Sequence, residues 1–277
     1  MFQYPESLKV FAAGDVVGKP GRRVLSQIVP ELKKKGFDLI IANSENAAGG
    51  SGVTPQIADK LLTYGVDVIT TGDHFFKNQK IFEDLDRFES LLRPLNFPEG
   101  VPGKGCCLYQ MKNGEKAAVI NLLGRTFINI GNCPFEAVNR ALDSIPDEVK
   151  YIIVDFHAEA TSEKLAMGWF LDGRVSLVYG THTHVPTADE KILPQGTGYI
   201  TDIGMTGPQR SILGRDIEPV IKRFTLQIPF RFSIAEEDLA LDGLIVELDR
   251  ITGKTISLSR VRFPYRENAG EREDEEP

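Results

Sequence analysis

Five short apolar runs in this chain each break off into a polar cluster, and that recurrence constrains the fold more than any other feature. LKVFAAGD, FDLIIANSEN, VDVITTGDH, YIIVDFH and VSLVYGTHTHV all read as buried strands that end in Asp, Glu, Asn or His. All four histidines, His74, His157, His182 and His184, sit at or just after such a run. Histidine is the commonest side-chain ligand of transition metals and suits Zn, Fe or Mn bound together with carboxylates. His182 and His184 are two apart, so a strand giving way to its loop would turn both imidazoles toward one pocket. The shared address predicts a metal centre.

Helical patterns separate the first runs. Residues 21–35 place Val24, Leu25, Ile28 and Leu32 at helical spacing, with Pro30 expected to kink or divide the helix. TPQIADKLLTYG offers Thr54 as N-cap, Pro55 at the first helical position and Gly65 at the stop. Further helices are expected over 79–87, over 134–143 and in TSEKLAMGWF. CCLYQMKNGEKAAVINLLG reads as a hairpin turning at Asn113-Gly114, and KILPQGTGYITDIG as another strand pair. Residues 224–264 read as strand-rich, with GLIVELD and TISLSRVRF paired around Thr252-Gly253.

Strands alternating with helices, followed by strands with few helices, imply an α/β layered fold, whose ligands gather beyond the carboxyl ends of its strands. That rule aligns Asp15, Glu45, Asp73, His74, His157, His182 and His184 along one rim. Each has a plainer reading alone: Asp15 in GDVVGKPG is equally a helix cap, and that loop fits neither the P-loop nor the GxGxxG fingerprint. The coincidence of five strand ends is what argues for a site.

The net charge of −7 over 277 residues has to be located before it means anything. From Glu267 onward six acids face one arginine, a contribution of −5, so the body carries −2. Residues 1–266 are therefore expected to form one domain and 267–277 a disordered acidic tail. A nearly neutral body without a basic stripe argues against duplex nucleic acid, though not against nucleotides or short single strands. No run reaches membrane-spanning length, and MFQYPESLKVFAAG lacks the regions of a signal peptide, which predicts a cytoplasmic protein. Cys106, Cys107 and Cys133 suggest neither a disulfide framework nor a zinc pair.

The succession GDVVG, NSEN, GDH, DFHAEATSEK and GTHTH resembles the calcineurin-like metallophosphoesterases, and more closely their bacterial YmdB-like branch of cyclic-nucleotide phosphodiesterases. LRPLNFPEGVPGKG, VINLLGRTF, HAEATSEKLAMGW, ILPQGTGYITDIGMTGP and IKRF extend the likeness over roughly residues 8 to 250. The resemblance implies a four-layer αββα sandwich with two metal ions at its rim, most readily Fe or Mn, with Zn possible. It implies that Asp15 and His184, with the Asn46 amide oxygen, hold one ion. Glu45 would bridge, and Asp73, His157 and His182 would hold the other, leaving His74 free as a general acid. Asp73 departs from the family's usual Asn; its extra negative charge should tighten metal binding, blunt Lewis acidity and phosphate attraction, and favour an ion such as Fe³⁺.

By that resemblance the reaction is diester hydrolysis by a water activated between the metals, most naturally of a 2′,3′-cyclic nucleotide, with His74 protonating the leaving oxygen. Two other functions stay open: a metal- and nucleotide-binding regulator with little turnover, and a phosphatase acting on monoesters or phosphoproteins. Arg125 reads as a phosphate clamp or a structural ion pair, GMTGP as a pocket rim or a plain turn, and Trp169 as packing or a base-stacking platform. Thr161, Ser162 and Glu163 begin a helix beside the site. The resemblance also hints at homo-oligomers.

Overall fold

Alternation along the central strands builds three separate apolar cores, and these set the layers. The computed structural model describes residues 7–267, so the acidic tail expected over 267–277 lies, beyond its first residue, outside the described residues. The first half comprises β1 (Ser7–Ala13), β2 (Asp15–Val16), α1 (Gly18–Lys34), β3 (Leu39–Asn43), α2 (Pro55–Tyr64) and β4 (Val68–Thr70). A hairpin of β5 (Cys106–Gln110) and β6 (Lys116–Leu123) is followed by α3 (Pro134–Ser144), β7 (Tyr151–His157), α4 (Thr161–Leu171) and β8 (Leu177–Thr181). The chain closes with β9 (Lys191–Ile192), β10 (Gly198–Ile200), β11 (Met205–Pro208), α5 (Ile217–Leu226), β12 (Leu239–Asp249) and β13 (Thr255–Pro264).

One sheet runs β2-β11-β12-β1-β3-β4, with β13 paired to β12; the other runs β5-β6-β7-β8-β10-β9. In β1, Leu8, Val10 and Ala12 enter a core that also contains Val119, Ile153 and Tyr179 of the second sheet. Phe11 and Ala13, on the opposite face, join Val24, Leu25 and Ile28 of α1 and Leu61 of α2. In β6 and β7, Ile120, Val154 and Phe156 turn outward to Val138 of α3 and Met167 of α4. Helices, sheet, sheet, helices: the four-layer sandwich follows from the two-residue period of the strands.

Pro30 does not interrupt α1, which continues to Lys34. Val24, Leu25, Ile28, Val29 and Leu32 are buried on both sides of it, so burial outweighs the roughly 3 kcal/mol that an interior proline costs. Thr54 caps α2 by accepting from Ile57 N at 3.2 Å, and Gly65 closes it in the left-handed region, as its sequence predicts. The stretch 79–87 forms short 3₁₀ turns in place of the expected helix. Residues 217–226 form a helix where few were anticipated. GMTGP forms no rim loop or turn: Met205–Pro208 is a buried strand, parallel to β2 and antiparallel to β12. Trp169 is 55% exposed, not packed. The three cysteines are free. Among the described residues no helix is long and apolar enough to cross a membrane.

Candidate metal centre

The inter-sheet face of the strands turns polar at its carboxyl end, and the centre begins there. Asn43, Thr70, Asp155, His157 and Thr181 all continue rows whose earlier members are Ile41, Val68, Ile153 and Tyr179. The carboxylates come from the first sheet: Asp15 on β2, Glu45 after β3 and Asp73 after β4. The imidazoles of His157, His182 and His184 come from the end of β7 and just beyond β8 in the second. Gly72 lets these meet, because a Cβ there would collide with Glu45 Oε2 and the His157 ring.

Glu45, Asp73, His157 and His182 present one ligand atom each within 4.8 Å of one another. Glu45 Oε1 lies 3.1 Å and Asp73 Oδ1 3.5 Å from His157 Nε2, and His182 Nδ1 approaches the same nitrogen at 3.0 Å. Beside this group, Asn46 Oδ1 faces His184 Nε2 at 3.0 Å, and Asp15 Oδ2 accepts from the His182 backbone at 3.0 Å. All seven residues expected as ligands thus converge on one rim, four as a tight cluster and Asp15, Asn46 and His184 alongside.

Each imidazole is oriented by its outward nitrogen. Thr181 donates its single hydroxyl hydrogen to Asp155 at 2.7 Å, so its oxygen accepts from His157 Nδ1–H at 2.8 Å and leaves Nε2 as the nitrogen a metal would take once its proton has gone. Leu213 O, which only accepts, lies 3.2 Å from His184 Nδ1 and fixes the same tautomer there. Glu159 Oε2 sits 3.0 Å from His182 Nε2, leaving Nδ1 inward. Backing a ligand histidine with an acceptor is how metal sites fix tautomer and basicity.

The donor set fits cations. Among the described residues, Asp15 Oδ1 and Asp73 Oδ1 are buried oxygens without a hydrogen-bond partner, which a positive charge would satisfy. Burial raises Asp15 well above the ordinary carboxylate range, against the pull of His157. Burial also opposes charge on His157, but Glu45, Asp73 and Asp15 outweigh it and hold that imidazole well above its usual value. His184 is pushed down to about 4 by burial, so it stays neutral and able to ligate. Burial would raise Asp73, yet the His157, His74 and His182 rings hold it below the usual range.

His74 lines the resulting cavity of ≈ 300 Å³ together with His182, His184, Glu159, Leu213 and Arg215. Its Nδ1 lies 3.3 Å from Asn46 Nδ2. Arg125 is exposed and does not belong to the lining; its backbone N–H donates to Glu163 at 2.9 Å. The arginine at the cavity is Arg215, which sequence reasoning missed, as it missed Glu159, Asp155 and Thr181 as supports.

The sequence model of YmdB-like proteins matches residues 11–261. This chain belongs to the YmdB-like family. The YmdB-like chain is 48% identical over 255 residues to a 2′,3′-cyclic-nucleotide 2′-phosphodiesterase of Bacillus subtilis strain 168, covering 92% of this chain and 96% of that one. A crystal structure of a hypothetical protein from Thermus thermophilus superposes with a TM-score of 0.88 at 37% identity, covering 94% of this chain and all of that one. A phosphatase structure from Mycoplasma pneumoniae gives 0.86 at 34% identity, with coverage of 93% and 94%. The YmdB-like chain is a phosphoesterase with a metal-binding cluster.

Proposed function

We propose that this YmdB-like chain hydrolyses 2′,3′-cyclic nucleotides at two metal ions, iron or manganese with zinc as the alternative. The ions are held by Asp15, Glu45, Asn46, Asp73, His157, His182 and His184. One observation carries the reading: each of the three imidazoles has its outer nitrogen committed to an acceptor while its inner nitrogen faces carboxylate or amide oxygens. Oxygen and imidazole donors without sulfur suit these metals. The substrate class is supported by the activity of the Bacillus relative and the extent of its identity.

When bound, the two ions would neutralise the phosphoryl oxygens and lower the pKa of a water between them. The protein's own residues do the rest. Glu45 Oε1 lies 3.5 Å from His74 Nδ1 and orients the ring in the cavity. As general acid His74 acts in its imidazolium form: a water oxygen bonds to phosphorus, the ribose oxygen's bond to phosphorus breaks, and that oxygen takes the Nε2 proton, leaving a neutral imidazole and a nucleoside monophosphate. Asp73 Oδ2, 3.6 Å from His74 Nε2, draws that edge of the ring toward the centre. Val17 and Leu213 give the cavity apolar walls for sugar or base.

The test compares 2′,3′-cyclic AMP, bis(p-nitrophenyl) phosphate and p-nitrophenyl phosphate as substrates of stripped protein reloaded with Mn, Fe or Zn. Metal-dependent cleavage of both diesters, with the monoester much slower, is expected. Monoester cleavage alone would refute the diesterase reading, and nucleotide binding without turnover under all three metals would make the chain a regulator.

A further inference from the structure

We infer that Arg215 is the substrate-binding residue that clamps the phosphate of the diester, an assignment that rests on the proposed function. Among the described residues it is the sole lysine or arginine lining the cavity that His74, His182 and His184 share. Arg87, Arg210, Arg260 and Arg262 each meet a carboxylate. Arg215 has no such counter-ion among the described residues; its hydrogen bond goes to the neutral Gly50 carbonyl, from Nη2 at 2.8 Å. A half-buried guanidinium with one neutral acceptor keeps N–H groups in hand for an anion.

The residue is also held in place. Its backbone pairs with Ile212 in both directions, N to O at 3.0 Å and O to N at 2.9 Å, and Ser211 Oγ accepts from Gly214 N at 2.9 Å. The same turn presents Leu213 O to His184, so guanidinium and metal-facing imidazole share one rigid support. Across the cavity, Gly50 sits at φ +87, and a Cβ there would collide with the guanidinium. Arg215 therefore spans from the Leu213 turn to the loop that bears Asn46.

Chemistry says what completes it. A phosphodiester offers two non-bridging oxygens sharing one charge, and a planar guanidinium matches them in a way that an ammonium does not. Asp73 adds a negative charge beside Asp15 and Glu45, and Glu159 adds a fourth carboxylate at the rim. An anionic substrate approaching this group needs a fixed cation, and Arg215 supplies it.

Arg215→Gln keeps an N–H donor for Gly50 and removes the charge. With the metal-loaded protein, KM for 2′,3′-cyclic AMP and the inhibition constant of inorganic phosphate should both rise about tenfold or more, the scale of a charge-assisted hydrogen bond. Metal content and melting temperature should stay near wild type, and Arg215→Lys should recover part of the loss. KM and phosphate inhibition within twofold of wild type, or a fall in metal content that accounts for the lost activity, would overturn the assignment. If the wild type cleaves no diester, the proposed function fails by itself. Calorimetric phosphate binding to wild type and Arg215→Gln still decides the clamp, and equal affinities would overturn it.

Discussion

Lys164 Nζ donates to Asp202 Oδ2 at 2.7 Å, with both side chains almost wholly shielded from water. The same carboxylate oxygen accepts from Thr183 N at 3.1 Å and from its hydroxyl at 2.7 Å, and Thr183 stands between His182 and His184. An interior ion pair thus anchors the turn from which two imidazoles project, which gives the lysine of DFHAEATSEK a physical role.

Lys164→Met should leave Asp202 buried without its counter-charge. Removing one partner of such a pair costs about 3–5 kcal/mol. Urea unfolding of the metal-free protein measures it, and a loss below about 1 kcal/mol would mean that the pair contributes little.

His74→Ala should retain metal content while turnover falls about a hundredfold or more, the usual worth of general acid catalysis. Elemental analysis and initial rates on one preparation check both halves. Undiminished turnover would remove His74 from the proton's path.

Asp73→Asn removes one anion from the cluster. Metal retention should weaken by roughly tenfold or more, a modest share of the attraction between a carboxylate and a divalent ion at ~4 Å. Competition against a chelator reads it directly, while phosphate affinity should move the opposite way. Unchanged metal affinity would show that Asp73 lies outside the coordination sphere.

Metal uptake should release protons. Without ions His157 is held protonated above its usual range by Glu45, Asp73 and Asp15, although burial opposes this, and burial raises Asp15 as well. Ligation requires the neutral imidazole and the ionised carboxylate, so bound protons must leave, and apparent affinity falls as pH falls. Titrating Mn into stripped protein near pH 6.5 in buffers of different ionisation enthalpy should give heats that differ accordingly. Identical heats would contradict the shifts.

The layers were legible in the sequence because strand alternation and burial coincide: Leu8, Val10 and Ala12 face one core, Phe11 and Ala13 another. The convergence of these polar residues on one rim was legible because strand ends are local patterns. The reason given for His182 and His184 was not the operative one. Both lie beyond β8 with φ of 96° and 63°, so left-handed backbone, not strand alternation, turns them inward. Arg215 left no local trace, since its place depends on Gly50, 165 positions earlier in the chain. Pro30 misled for a similar reason, because the apolar face that keeps α1 whole is completed by strands distant in sequence.

The carboxylates hang from one sheet and the imidazoles from the other, with an apolar filling between them. Neither half of the molecule can assemble the centre alone, so its geometry is a gauge of how well the two halves are seated. Thinning that filling, as by Val119→Ala or Ile153→Ala, should let the sheets slip and the ions leave while most of the fold survives. Cations held there would act as rivets at the open end of the seam.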